Sequence, residues 1–198
     1  MKIFKEFYYN LLRESPMNLS DWSNDDLVSN TQDAMDIYNN VLNDSSYKKV
    51  FELTPLIHLY EMEIDDEVIC YFVPTNNNFV YGYVCYDKLS DGGIITTSVY
   101  NDKKMHGLAY KVYKDYLMVK FKYIMSDGRH TPKGKMFWGR IVSDNLDKND
   151  ISCSIYDTLS NEIISQIKNR DDLNQYYGDD IDFERYRIRI ENNLDLKL

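Results

Sequence analysis

The sequence predicts a mixed α+β fold: an antiparallel meander leading into a βαβ crossover, with a central mixed sheet flanked by helices. Two observations carry this. Four runs of β-forming residues recur between positions 56 and 100, separated by turn residues. The last is followed by a long amphipathic stretch and then a short apolar run, the order of a βαβ unit. The length of 198 residues and the 43% apolar content suffice for one compact domain. Within it, residues 1–53 are expected to form a helical or irregular N-terminal segment packed on the core, and residues 54–198 the main body.

Lys2–Leu12 carries Ile3, Phe4, Phe7, Tyr8, Leu11 and Leu12 at near-helical spacing, and Ser15-Pro16 breaks it. The Asn-, Asp- and Ser-rich residues 18–32 read as a loop anchored by Trp22. Over 32–43, Ala34, Ile37, Tyr38, Val41 and Leu42 recur every three to four residues, so a helix is expected there, closed by Asn43-Asp44-Ser45-Ser46. Leu56–Glu63 and Val68–Val73 read as a hairpin about Asp65-Asp66. Phe79–Tyr86 and Ile94–Tyr100 are the third and fourth strands of the meander, joined by Ser90-Asp91-Gly92-Gly93.

Over Met105–Phe121, Leu108, Val112, Tyr116 and Val119 mark one helical face, with Ala109, Tyr113 and Leu117 beside them. Tyr123–Met125 then reads as a strand parallel to the fourth. Thr131-Pro132 opens a helix over Lys133–Val142, since proline in a first turn lacks only an N–H that would be unpaired anyway. Asp144–Asp150 is a polar loop. Ile151–Tyr156 and Ile163–Ile167 read as strands about Ser160-Asn161, with a helix over 158–167 as the competing reading. Residues 169–182 read as loop. Phe183–Ile190 alternates apolar and charged residues, which suits a closing strand at a sheet edge.

A net charge of −9 disfavours general binding to nucleic-acid backbones. Cys70, Cys85 and Cys153 lack CxxC spacing and read as small core residues, suited to a reducing compartment. No apolar run approaches the roughly 20 residues of a membrane span, and MKIFKEFYYNLL lacks the form of a signal peptide. A cytoplasmic protein is therefore expected. His58, His106 and His130 show no metal-ligand spacing.

The turn after the fourth strand reads Lys104-Met105-His106-Gly107-Leu108-Ala109. A helix start offers unpaired N–H groups and the positive end of the helix dipole, and glycine admits close approach by a phosphate. An ordinary helix cap with lysines in water is the competing reading. The turn resembles the Arg/Gln-x-x-Gly-x-Gly/Ala pyrophosphate-binding motif of the GNAT acetyltransferases, with Lys104, Gly107 and Ala109 in the motif positions. The order of elements over 54–170 is similar to that family's as well. The resemblance implies acetyl-CoA or a related acyl-CoA as cofactor, held by Val99, Lys103, Lys104, His106, Gly107, Leu108 and Ala109.

The run Ser126–Trp138, SDGRHTPKGKMFW, resembles a divergent GNAT-like branch encoded by tailed phages. The layout and size are also similar to the anti-DarT factors of T-even phages, which counter a DNA ADP-ribosylating toxin. This resemblance implies a host-cytoplasm accessory protein that blunts a defence or toxin system by binding a host protein, the toxin among the candidates. GNAT enzymes often carry a leaving-thiolate acid, a tyrosine, on the helix after the fifth strand, where this chain has Phe137-Trp138. For acyl transfer to an amine, Asp127 or His130 is the candidate base and Tyr113 the candidate acid. Asp127 as a capping carboxylate and Trp138 as a core residue are the structural alternatives.

Overall fold

In the computed structural model of the protein, the described residues are 31–102, 105, 107–128, 132–176 and 185–193. The chain divides into two compact units, Met1–Asn30 and Thr31–Leu198. All described residues belong to the second. The expected segment Lys2–Leu12 and the Trp22 anchor lie outside them.

Helix α1 spans Thr31–Asn43, and its end is fixed where Ser46 N–H donates to the Asp44 carboxylate at 2.8 Å. Strands β1 (Lys48–Thr54), β2 (Ile57–Ile64), β3 (Glu67–Pro74), β4 (Gly82–Lys88) and β5 (Ile94–Asn101) follow as an antiparallel meander. The β2–β3 hairpin turns at Asp65-Asp66, with Asp65 at φ 57°, a left-handed conformation that Asp tolerates. The meander thus has five strands, one more than the sequence pattern suggests. β1 escapes it because KKVFELT does not alternate, and two irregularities in its pairing with β2 break the period of two.

Helix α2 crosses from β5 to the next strand. It consists of an α-helical turn, Leu108–Val112, a π-helical turn, Tyr113–Leu117, and a last α-helical turn, Met118–Lys120. A π turn takes more residues than an α turn, so the apolar face shifts. Met118 is buried, while Val119, which the α-helical period assigns to that face, is 74% exposed. Strand β6 (Tyr123–Met125) lies parallel to β5, as the βαβ reading requires. Helix α3 (Pro132–Ser143), strands β7 (Ile151–Asp157) and β8 (Glu162–Gln166), a 3-10 turn (Arg170–Tyr176) and strand β9 (Tyr186–Asn192) complete the described chain. The strand reading of 163–167 therefore holds against the helical one, with Asn161 in the turn at φ 57°.

The nine described strands form one mixed sheet in the order β1-β2-β3-β4-β5-β6-β9-β7-β8. The expected edge position of the closing strand is corrected here. β9 lies in the interior, antiparallel to both β6 and β7. Its charged residues are sheltered by partners: Arg189 donates to Glu191 at 2.9 Å, and its guanidinium lies 3.7 Å from the Tyr123 ring centre. Phe183, the expected start of that strand, is outside the described residues.

Alternation along the strands sends Leu59, Phe72, Val84, Ile94, Ile124 and Ile188 to one face. There they pack with Val112, Tyr113 and Leu117 of α2 and Trp138, Ile141 and Val142 of α3. α2 and α3 also meet directly, since Tyr110 donates to Asp144 and Arg140 lies over the Tyr110 ring. Elsewhere, Val80 N–H donates to the Ala34 carbonyl of α1 at 3.3 Å. Among the described residues, no helix is long and apolar enough to cross a membrane.

Candidate functional site where two parallel strands part

Strands β5 and β6 share only two residue pairs, Ile94↔Ile124 and Ile95↔Met125. Beyond them the Thr96 hydroxyl donates to the Met125 carbonyl at 3.1 Å, and the two strands then take different partners. β5 runs on to Asn101 against β4. The chain after β6 turns to β9, with Ser126 N–H donating to the Ile188 carbonyl at 2.9 Å and Ile188 N–H to the Ser126 hydroxyl at 3.0 Å.

A bulge accompanies the parting. Tyr86 faces Thr96 and Cys85 faces Ser98, which leaves Thr97 as the extra residue of β5. Bulges bend a strand and sharpen its twist, and this one falls just past the last β5 residue paired with β6.

The turn from β5 into α2 is closely tied. Met105 N–H donates to the Asp102 carbonyl at 2.9 Å and Leu108 N–H to the Met105 carbonyl at 3.2 Å. The Asn101 amide donates to the Asp102 and Met105 carbonyls. Gly107 sits at φ 80°, where other residues are strained, and a Cβ there would meet nothing within 4 Å. The glycine is thus explained by its left-handed backbone, and no described atom outside its chain neighbours crowds the place of a Cβ. Leu108 and Ala109 bury their side chains in the core, so a ligand at this end would meet backbone rather than these side chains. Val99 is 42% exposed on the stretch of β5 that pairs with β4 alone. Lys103, Lys104, His106 and His130 lie outside the described residues.

Tyr113 opens the π turn of α2 and is buried. Its ring is held edge-on by Phe137 at 4.9 Å and Trp138 at 5.7 Å between ring centres. Burial pushes its phenol well above the usual range; the Thr96 hydroxyl opposes this in part, and the Asp127 carboxylate adds a smaller upward push. Tyr113 thus lies in the field of Thr96 on β5 and of half-buried Asp127, two residues past β6. Of the three candidate catalytic residues, Asp127 and Tyr113 are among the described residues, and the Asp127 charge is felt at the Tyr113 hydroxyl. Trp138 is buried, as the core reading of that residue requires.

Other features carry no clear local pattern in the sequence. The Thr97 bulge needs the β4 pairing to be seen. The Arg187 guanidinium crosses Gly128, where a Cβ would lie 1.8 Å from Nη1, and only the pairing of β6 with β9 brings the two together. Glu61 on β2 accepts hydrogen bonds from Tyr86, from Tyr116 at 2.6 Å and from Lys120 at 2.8 Å, tying α2 to the meander. Among the described residues, no three His, Cys, Asp or Glu side chains gather as a metal ion would require.

No protein-family model matches the chain, and no curated protein matches it.

Proposed function

We propose that this chain is a GNAT-like protein that holds an acyl-CoA where β5 and β6 part. The observation that carries the reading is the two-pair contact of these parallel strands, followed by the Thr97 bulge. In the GNAT family a splay between the corresponding strands makes the cofactor slot. The order of elements supports the same reading: meander, strand, helix, parallel strand, helix and C-terminal strands. Gly107, left-handed at the start of α2 with no described atom crowding the place of a Cβ, suits the pyrophosphate end. In acyl transfer, an amine nitrogen attacks the thioester carbonyl and loses a proton, and CoA leaves as a thiolate that takes one up. Asp127, beside the parting, is the residue for the first proton, and backbone N–H groups of β5 are the donors for the oxyanion. Calorimetric titration with acetyl-CoA tests the slot. Saturable binding is expected, abolished by Gly107→Glu; an absence of heat with the folded wild type rejects the reading.

A second reading is favoured by Phe137 and Trp138. They stand where the family often places its thiolate-protonating tyrosine, and Trp138 is buried against Tyr113. A scaffold of this kind suits a phage-encoded accessory protein that counters a host defence or toxin by contact with a host protein, in the host cytoplasm. Its 18 tyrosines suit such contact. The discriminating test is protection of cells from a DNA ADP-ribosylating toxin. Contact alone predicts that Gly107→Glu protects as well as wild type; loss of protection together with acetyl-CoA binding returns the case to catalysis.

A further inference from the structure

The two ends of the sheet, β1 and β8, are guarded differently. An edge strand offers a row of unpaired N–H and C=O groups, and folded proteins protect such edges with lysine, proline or irregular pairing. β1 begins with Lys48 and Lys49 and has two irregularities in its pairing with β2. β8 reads Glu-Ile-Ile-Ser-Gln, with no lysine, arginine or proline, and its pairing with β7 has one irregularity, at Ile155/Tyr156. Ile163 and Ile164 are 42% and 45% exposed, and Leu159 in the turn before them is 74% exposed. Ser165, Gln166 and Lys168 line an open groove with Asp172, Gln175 and Tyr176. Among the described residues, no strand pairs with the outer side of β8.

The charges around β8 favour a second copy of the chain as its partner. Glu162 stands at the start of the strand and Lys168 two residues past its end, and both are exposed. The Asp172 carboxylate is satisfied within its own turn, where it accepts from the N–H groups of Lys168 and Asn169 at 2.8 and 3.1 Å. An antiparallel copy of the same edge sets the Glu162 end of each strand against the Lys168 end of the other. Symmetry then forms two opposite-charge contacts at once, with the exposed isoleucines near the axis between them. A parallel copy would instead set glutamate beside glutamate and lysine beside lysine, which repel.

We infer that β8 is a self-association edge, pairing antiparallel with β8 of a second copy across a two-fold axis, so that the two sheets continue into one another. The net charge of −9 on each copy opposes the contact, so the dimer forms and dissociates with concentration. It is independent of the acyl-CoA slot, because β8 lies four places along the sheet from β5.

Sedimentation of the full chain over a concentration series tests this. Wild type is expected to pass from monomer to dimer below about 1 mM, the weak end of specific association. Ile164→Lys, which guards β8 as Lys48 and Lys49 guard β1, is expected to weaken the dimer about tenfold or more. Glu162→Lys is expected to weaken it as well, and adding Lys168→Glu to that variant is expected to restore it. All three side chains are exposed, so circular dichroism should show an unchanged fold. A wild type that stays monomeric up to about 1 mM overturns the inference, and that result needs no variant. A dimer as tight in Ile164→Lys as in wild type places the contact elsewhere and also overturns it. A double variant that fails to recover overturns the antiparallel arrangement.

Discussion

Removal of the Glu61 carboxylate probes how α2 is held against the meander. Glu61 is 13% exposed and accepts from Tyr86, from Tyr116 and, through both oxygens, from Lys120 at 2.8 Å. Burial opposes its ionisation, but the bonds from Lys120, Tyr116 and Tyr86 outweigh this and hold its pKa below the usual value. Glu61→Ala leaves two buried tyrosine hydroxyls without their acceptor and Lys120 without its counter-ion. Hydrogen bonds to a charged acceptor contribute about 1.5–3 kcal/mol each. They share one acceptor, so they do not add in full, and Lys120, 34% exposed, regains water. We expect a loss of about 3 kcal/mol, or roughly 6–12 °C in Tm for a chain of this size. Denaturant unfolding should show a lower midpoint at unchanged slope. Because the folded pKa is depressed, the contribution is present above the unfolded value of about 4.3 and fades as pH falls through the folded one. The wild-type and Glu61→Ala curves should therefore converge in acid. A loss below about 1 kcal/mol at neutral pH refutes the reasoning, as does a gap that persists in acid.

Two further perturbations test other parts of the scaffold. Asp157 is held well below the usual carboxylate range, first by hydrogen bonding with Arg185, and it also accepts from Leu159 N–H at 2.9 Å. Its contribution is present above about pH 4 and is lost as pH falls through the depressed value, so Asp157→Asn should lower stability at neutral pH and flatten the acid limb of the stability profile; an unchanged acid limb counts against this. At Gly93, a Cβ would lie 2.1–2.6 Å from the Tyr123 ring, which Asp91 and Arg189 hold in place. Gly93→Ala should therefore cost about 1–3 kcal/mol in a melting experiment, and a neutral outcome would show that the ring yields.

The sequence makes local elements legible and leaves long-range placement obscure. The hairpin about Asp65-Asp66 and the parallel pairing of Tyr123–Met125 follow from turn chemistry and element order, and both are present. β9 does not follow in the same way. Its alternating charges match an exposed edge as well as an interior strand whose charges pair with Glu191 and Tyr123, and only pairing across distant segments decides between them. The π turn at Tyr113–Leu117 is likewise hidden in a run whose apolar spacing fits an α-helix until Val119. At the candidate site, Gly107 and Asp127 stand out by residue type and position. Thr97 does not, because an ordinary strand threonine becomes a bulge only through its register with Cys85 and Tyr86. Nothing local marks Glu61 within its strand either, because its partners Tyr116 and Lys120 come from α2, more than 50 residues further along the chain.

The most direct test of the slot is a titration of the 15N-labelled chain with acetyl-CoA, followed by backbone amide resonances. Binding at the parting predicts saturable shifts concentrated at Thr97–Asn101 and at Gly107–Tyr110, with β1, β2 and β8 unmoved. A spectrum that does not change, or shifts that cluster away from β5 and the start of α2, contradicts the assignment.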